Sequence, residues 1–328
     1  MERSNRRQKD VRDRVRTFGA LIVACCALLC CQRQPEDRRI VSLAVSNSGT
    51  WLAAGTASGR VAVWKLGNSA PPLEARDPAG VVNDLQFSLD EQCLAIAGRD
   101  LTMRPLARFD EPLILRKDGR NYGTVRFSPA EDTILTIDGK GTIEILNAKT
   151  GLVMRSVCCS TIGGAVAFTP DGARFISGGH LPRMWDVRTG ALVSQMSRER
   201  EFMTLGPIAF RGDQVLMGSQ DGGIHVWNWR TGQSFVTSSR TQDWVDTIAV
   251  QEQTGLVAYA GIRKALRTWN PDSKMDAIHP TSNIVFASPN GLLAVGLANG
   301  TVELWDIERG VRHAAIAFPE VPRAGAEL

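Results

Sequence analysis

The side chains that could carry out chemistry are few and lie far apart along this chain. Its four histidines are His180, His225, His279 and His313, and no Gly-x-Ser-x-Gly elbow marks a nucleophilic serine. Hydrolysis at a metal needs histidines and carboxylates that converge on one point. The sequence shows no such cluster, so we expect no catalytic residue, no resident metal and no cofactor.

The cysteines and glycines add no further chemistry. Four of the seven cysteines lie between residues 25 and 31, and the others are Cys93, Cys158 and Cys159. There is no C-x-x-C pair with the spacing of a metal site. The vicinal pair could form a strained disulfide, but the alternate faces of one strand are the favoured interpretation. Residues 138–141, Asp-Gly-Lys-Gly, predict a hairpin turn, since no helix follows them as in a phosphate-binding loop.

The positive formal charge of the chain, +4, belongs to its N-terminus. Residues 1–39 carry ten basic and five acidic side chains, which leaves 28 basic and 29 acidic side chains in residues 40–328. A nucleic-acid-binding protein needs a basic surface that displaces counterions from phosphates. The balanced charge of the main part of the chain argues against nucleic acid as a partner.

The first 31 residues have the pattern of an export or anchor signal. Seven basic side chains precede the uncharged run 18–31, which is shorter than the ~20 residues that cross a bilayer as a helix. Residues 22–25, Ile-Val-Ala-Cys, resemble the lipobox of bacterial lipoproteins, in which the cysteine is acylated. We therefore expect a signal peptide or membrane anchor over 1–31, with lipidation of Cys25, and a linker over 32–39. An uncleaved anchor and a cytoplasmic chain are the alternatives.

Everything after residue 40 repeats with a period of about forty residues. In seven places, a run in which apolar and polar residues alternate ends at a tryptophan, or at an arginine or leucine in the same position. These places lie 36 to 42 residues apart. A turn that begins with serine or threonine in most copies recurs with the same spacing. The run-ending positions are Trp64, Arg104, Leu146, Trp185, Trp227, Trp269 and Trp305, and the turns begin at Ser46, Ser88, Ser128, Thr169, Arg211, Gln251 and Ser288.

Each repeat is predicted to contain four short strands. In the fifth copy these are residues 207–210, 214–218, 223–227 and 234–237, separated by turn residues such as Asp221-Gly222. No stretch after residue 40 has helical periodicity longer than two turns. The repeats therefore predict an all-β fold.

Several copies resemble WD-repeats. Residues 299–306 read Asn-Gly-Thr-Val-Glu-Leu-Trp-Asp, residues 221–228 read Asp-Gly-Gly-Ile-His-Val-Trp-Asn, and residues 169–172 read Thr-Pro-Asp-Gly. The resemblance implies a seven-bladed β-propeller over 40–318, with four antiparallel strands per blade and a tail over 319–328. Its structural blade anchors would be Trp64, Trp185, Trp227, Trp269 and Trp305.

The chain departs from the WD-repeat pattern in three ways. The Gly-His dipeptide before the first strand of a repeat is missing, so the family's buried Trp–Ser–His–Asp network is not expected in full. Arg104 and Leu146 replace the anchor tryptophan in blades two and three. Residues 311–318 can supply the outer strand of the last blade, so we expect the ring to close by packing between blades one and seven, without strand exchange.

The resemblance also implies a function, which is to bind protein partners on one face of the ring. The best candidates for partner contact are Tyr122, Trp244, Arg263, Lys264 and His180, since aromatic and arginine side chains are frequent interface anchors. Trp244 could instead cover the top of blade six, and Arg263-Lys264 could be a solvated turn. Other residues assigned to the same face are Arg99, Asp100, Asp138, Lys140, Asp221 and Asn299.

We therefore expect a non-catalytic, monomeric scaffold of bacterial type, tethered to a membrane on its exported side. One alternative is a propeller hydrolase or lactonase with a metal in the central channel. Another is a cytoplasmic WD-repeat scaffold.

Overall fold

The computed structural model describes most of the chain after Asp37. The described residues are 38–77, 80–158, 165–179, 181–196, 207–236, 244–250, 254–261, 266–270, 275–279, 285–287, 292–306 and 311–320. The chain divides into two units between Asp37 and Arg38, and every described residue lies in the second. The predicted signal or anchor segment, with Cys25, lies outside the described residues.

The described residues form seven sheets of four antiparallel strands, each sheet taking its strands in chain order. We call the sheets blades one to seven and the strands of each blade a to d. This confirms the predicted all-β propeller of seven four-stranded blades. One 3₁₀ turn, Leu106–Arg108, also occurs in the described part, where no helix is long and apolar enough to cross a membrane.

The bounds of the strands follow the predicted repeat closely. The a strands are β1 (Ile40–Val45), β5 (Asp84–Phe87), β9 (Tyr122–Phe127), β13 (Val166–Phe168), β17 (Ile208–Arg211), β21 (Val245–Val250) and β25 (Val285–Ala287). The b strands are β2 (Trp51–Thr56), β6 (Cys93–Ala97), β10 (Thr133–Asp138), β14 (Arg174–Ser177), β18 (Gln214–Gly218), β22 (Val257–Gly261) and β26 (Leu292–Gly296).

The other two strands of each blade lie farther from the axis. The c strands are β3 (Arg60–Lys65), β7 (Leu101–Pro105), β11 (Thr142–Asn147), β15 (Arg183–Asp186), β19 (Ile224–Asn228), β23 (Leu266–Asn270) and β27 (Thr301–Asp306). The d strands are β4 (Leu73–Arg76), β8 (Leu113–Arg116), β12 (Val153–Cys158), β16 (Leu192–Gln195), β20 (Ser234–Val236), β24 (Met275–His279) and β28 (Val311–Ala317).

The b strands are buried on both faces because each sheet packs between two neighbours. All six residues of β10 and the last five of β2 are buried, whereas five of the six residues of β12, a d strand, are exposed. A strand covered on both faces needs a nearly continuous apolar run instead of strict alternation. This is why the b strands of the sequence read as short runs of small and apolar residues.

A hydroxyl side chain closes the turn between strands a and b in several blades. Ser88 Oγ accepts a hydrogen bond from the Cys93 backbone N–H at 3.0 Å and donates to Asp90 at 2.6 Å. Thr169 Oγ1 does the same with Arg174 at 3.1 Å and Asp171 at 2.5 Å. These bonds are the physical reason for the serine and threonine turns in the repeat.

All seven anchor positions of the repeat lie in a c strand. Trp227 is buried, and Trp185 donates from Nε1 to Ser177 Oγ at 3.0 Å, so part of the WD-type polar network is present in blade four. In blade two, the buried Arg104 donates from Nη1 to the Phe109 carbonyl at 2.6 Å, and its guanidinium lies 5.7 Å from the Phe109 ring centroid. Burial lowers the pKa of Arg104 from its ordinary value. Leu146 is fully buried in the apolar core between blades two and three.

The ring closes where blade seven meets blade one. The a strands of successive blades contact one another around the axis, and β25 contacts β1. Across this seam Ile40 and Leu43 pack against Ala294, Val302 and Leu304. Blade seven takes its outer strand from residues 311–317, so the described residues confirm closure by packing without strand exchange.

Phe318 and the residues after it complete the seam. The Phe318 ring meets Trp64 edge to face, with ring centroids 5.9 Å apart, and the Arg60 guanidinium lies 5.0 Å from its centroid. Arg60 also donates to the Pro319 carbonyl at 2.8 Å and pairs with Glu74 at 2.8 Å. The predicted tail therefore begins with residues that contact blade one.

Candidate protein-interaction surface

The b–c loops and the connections from strand d to the next strand a share one face of the ring, which we call the top face. At blades two and three these segments are joined by backbone hydrogen bonds. Tyr122 N–H donates to the Gly98 carbonyl at 2.6 Å, and Asn121 N–H donates to the Arg99 carbonyl at 3.1 Å. Gly119 N–H donates to Asp100 Oδ1 at 3.1 Å. The surface loops here are therefore held in fixed positions.

Side-chain hydrogen bonds of Asn83 also join blade two to the start of blade three, at Asn121 and Tyr122. Asn121 has φ of 61°, a left-handed conformation that asparagine tolerates better than most residues. Asn83 Nδ2 donates to Asn121 Oδ1 at 3.1 Å and to the Tyr122 carbonyl at 2.9 Å. The connection into blade three is thus fixed by the preceding blade.

Tyr122 lies under this surface, with none of its area exposed. Its hydroxyl donates to Asp118 Oδ1 at 3.0 Å and accepts from Arg116 Nε at 3.3 Å. A partner anchor has to be exposed, and this ring has no exposed area to offer. Its position in the structure is that of a core residue between blades two and three.

Two buried carboxylates lie next to Tyr122. The side chains of Asp138 and Glu144 are 2% and 6% exposed. Glu144 Oε1 accepts from Arg120 Nη1 at 2.8 Å and lies 3.7 Å from Arg116 Nη2. Asp138 Oδ1 accepts from the backbone N–H groups of Lys140 and Thr142 at 2.9 and 2.8 Å, which confirms the predicted turn at 138–141.

The basic side chains above these carboxylates point outward. Arg99, Lys117 and Lys140 are exposed, and none of the three has a carboxylate within ion-pair distance among the residues that the structure describes. Arg120 is partly exposed and pairs with Glu144 and Asp118. The top face of blades two and three therefore presents positive charge to solvent.

The other predicted contact residues are only partly covered by the structure. Trp244 is 49% exposed and directly precedes β21 on the top face, so partner contact by Trp244 stays a prediction. His180, Arg263 and Lys264 lie outside the described residues.

Two further top-face turns of the described residues are closed by their own acidic or amide side chains. Asp221 accepts from the Gly223 N–H at 3.0 Å, and Asn299 accepts from the Thr301 N–H at 3.0 Å. These bonds fit the interpretation that Asp221 shapes its turn.

Sequence reasoning missed four residues of this surface, namely Arg116, Lys117, Asp118 and Arg120, together with the buried Glu144. The available signal was the charge of residues 116–120, Arg-Lys-Asp-Gly-Arg, in the connection between two predicted blades. Glu144 also interrupts the apolar run of a c strand, two residues before the anchor position.

The inner strands of neighbouring blades are linked by polar side chains. Asp84 accepts from the Val125 N–H at 2.9 Å and pairs with Arg126, and Gln86 accepts from the Phe127 N–H at 2.6 Å. Burial raises the pKa of Asp84, and the Arg126 charge opposes that shift.

Within the described ranges, no three histidine, cysteine or acidic side chains are grouped so that they could hold a metal ion.

Comparison with known proteins finds WD-repeat proteins. The family described as "WD domain, G-beta repeat" matches residues 28–65, which include β1, β2 and β3. An uncharacterized WD repeat-containing protein of Synechocystis sp. is 31% identical over 145 residues, which is 42% of this chain and 41% of that protein. Telomerase protein component 1 of Mus musculus is 27% identical over 205 residues, 60% of this chain and 8% of that protein.

A third relative covers more of both chains. The guanine nucleotide-binding protein subunit beta of Nicotiana tabacum is 23% identical over 319 residues, 88% of this chain and 73% of that protein. The chain spans less than half the length of the cyanobacterial and mouse relatives. The repeat match and the seven blades agree with the WD-repeat resemblance of the sequence.

The ionisation of Tyr122 tests the buried hydroxyl. Burial of the phenol and the nearby Asp118 raise the pKa of Tyr122 to about 12. Since the chain has two tyrosines, the Tyr259→Phe variant leaves Tyr122 as the single phenol. Absorbance titration of that variant should give a midpoint near 12. Because an unfolded phenol ionises near pH 10, stability should fall as the pH rises from about 10 toward 12.

Circular dichroism recorded through the same titration shows whether the fold persists. A midpoint near 10 while the protein stays folded would place the Tyr122 hydroxyl in water and contradict the network.

Proposed function

We propose that this chain is a WD-repeat propeller that catalyses no reaction and serves as a scaffold, binding another protein through its top face. The observation that carries the proposal is the surface at blades two and three. Its loops are fixed by hydrogen bonds between blades, and its cations face solvent. A surface of fixed loops with exposed charged groups is suited to protein recognition, since little conformational entropy is lost on binding.

Three acidic groups of blades two and three support a binding role over a catalytic one. Asp138 shapes a turn, Glu144 pairs with Arg120, and Asp84 links two inner strands. Each acidic group is thus engaged in holding blades or loops together.

The names of two relatives point the same way. One is a guanine nucleotide-binding protein subunit, and the other is a telomerase protein component, so both names describe parts of larger assemblies. We carry over the general role of assembly with other proteins, and not the specific partners.

We further propose that residues 1–31 direct export and tether the propeller to a membrane, with acylation at Cys25. The support is the sequence itself, in which seven basic side chains precede a 14-residue uncharged run that contains Ile-Val-Ala-Cys. Positive charge before an apolar run holds that end on the cytoplasmic side. The propeller would then act as a monomer at the exported surface of the membrane.

Site-specific photo-cross-linking tests the top face. A benzoylphenylalanine that replaces Trp244 should cross-link to a second protein in cells, because this position is 49% exposed on the proposed binding face. The matched control replaces Phe235, which is 53% exposed on the outer strand of blade five. Gel electrophoresis should show a cross-linked band that is several-fold stronger from position 244 than from position 235.

Equal bands from the two positions would mean that the top face is not a preferred docking surface. An absence of bands from position 244 would contradict binding there.

Metabolic labelling with palmitate tests the tether. The Cys25→Ala variant should lose the label and leave the membrane fraction, because the acylated thiol is removed. Cys26→Ala, one position along the same run, should keep both. Undiminished labelling of Cys25→Ala would exclude Cys25 as the acylated residue.

A further inference from the structure

The strongest unassigned feature of the described surface is a group of basic side chains that project from three neighbouring loops of blades two and three. We call it the top-face cation patch, and it consists of Arg99, Lys117, Arg120 and Lys140. We propose that this patch binds an acidic, carboxylate-rich segment of the partner protein. The inference rests on the proposed scaffold function and adds the chemistry of its partner.

In this region most of the acidic side chains are buried or hydrogen-bonded, and most of the basic side chains are exposed. Of its carboxylates, Asp138 and Glu144 are buried, Asp100 accepts a backbone hydrogen bond from Gly119, and Asp118 pairs with Arg116 and Arg120 at the surface. Its cations point outward, and the described residues place no carboxylate within ion-pair distance of Arg99, Lys117 or Lys140. At these three cations an incoming anion therefore meets positive charge that no acidic side chain of the described residues neutralises directly, whereas Arg120 is already paired with Glu144 and Asp118.

Two of the cations lie on loops that are joined to a neighbouring loop by backbone hydrogen bonds. The Arg99 carbonyl accepts from Asn121, and the Arg120 carbonyl accepts from the Gly139 N–H at 3.4 Å, beside Lys140. A Cβ atom at Gly119 would lie 3.5 Å from Arg99 Nε, so the guanidinium rests against the connection between blades two and three. An exposed guanidinium can bind a carboxylate through two parallel hydrogen bonds.

The extent of the patch favours a peptide over a nucleic acid. The patch spans the loops of two blades, while residues 40–328 as a whole carry one more acidic than basic side chain. Nucleic acids are bound by longer basic surfaces that neutralise several successive phosphates. A short run of glutamate or aspartate in a partner needs only a few cations close together.

The test uses the full-length protein and a fluorescein-labelled peptide of about ten residues that alternates glutamate with serine. Fluorescence anisotropy should show binding that weakens as salt is raised, because exposed charges are screened. A peptide with glutamine in place of glutamate should not bind. The triple variant Arg99→Glu, Lys117→Glu, Lys140→Glu should weaken binding by at least about tenfold, since it reverses the steering charge.

The matched control reverses three exposed cations in c–d connections on the opposite face, with the same change of net charge. It is the triple variant Arg108→Glu, Lys149→Glu, Arg188→Glu, and its affinity for the peptide should stay within about twofold of the wild type. Circular dichroism should show that both triple variants are folded.

Three results would overturn the inference. These are no binding of the acidic peptide, equal losses in the two triple variants, and tighter binding of a single-stranded DNA of similar length at the same residues. If the peptide fails to bind while cross-linking at Trp244 still captures a protein, the scaffold function stands and the acidic partner is wrong. If the peptide binds but position 244 captures nothing, the acidic-segment site at blades two and three stands, and docking of a protein at Trp244 is the part that fails.

Discussion

A four-stranded sheet whose middle strands are apolar on both faces is stable only when both of its faces are covered. The b strands of this protein are of that kind, as the successive buried residues Val215, Leu216 and Met217 of β18 show. Each blade therefore needs a neighbour on either side, and a linear row would leave two faces in water. Seven blades in a ring remove both ends, and Ile40 and Leu43 of blade one pack against Val302 and Leu304 of blade seven.

The same packing determines where charge can lie. A charged group between two blades has to be paired, because desolvation of an unpaired charge is costly. Arg104 meets this requirement with the Phe109 carbonyl, and Glu144 meets it with Arg120. Because the buried Asp138 and Glu144 accept from backbone N–H groups and from Arg120, the nearby Arg99, Lys117 and Lys140 remain to face solvent. The positive charge of the top face at blades two and three is thus a consequence of the pairing of the buried charged groups.

The periodic spacing of the sequence was enough to predict the strands. Trp64, Arg104 and Leu146 are chemically different, yet each lies in a c strand as the period requires. The side-chain environment of Tyr122 could not be predicted in this way. Its position at a loop suggested exposure, but the direction of its ring depends on packing against the preceding blade, which contributes Arg116 and Asp118.

The paired charges were equally hidden from sequence reasoning. Arg120 and Glu144 are 24 residues apart and meet only through the register of β10 with β11 and the path of the preceding loop.

The calorimetric unfolding of a chain that begins at Arg38 tests the closed ring most directly. Closure by packing alone predicts one transition at the melting temperature of the full-length protein. Failure to fold, or a melting temperature lower by several degrees, would mean that earlier residues contribute to closing the ring.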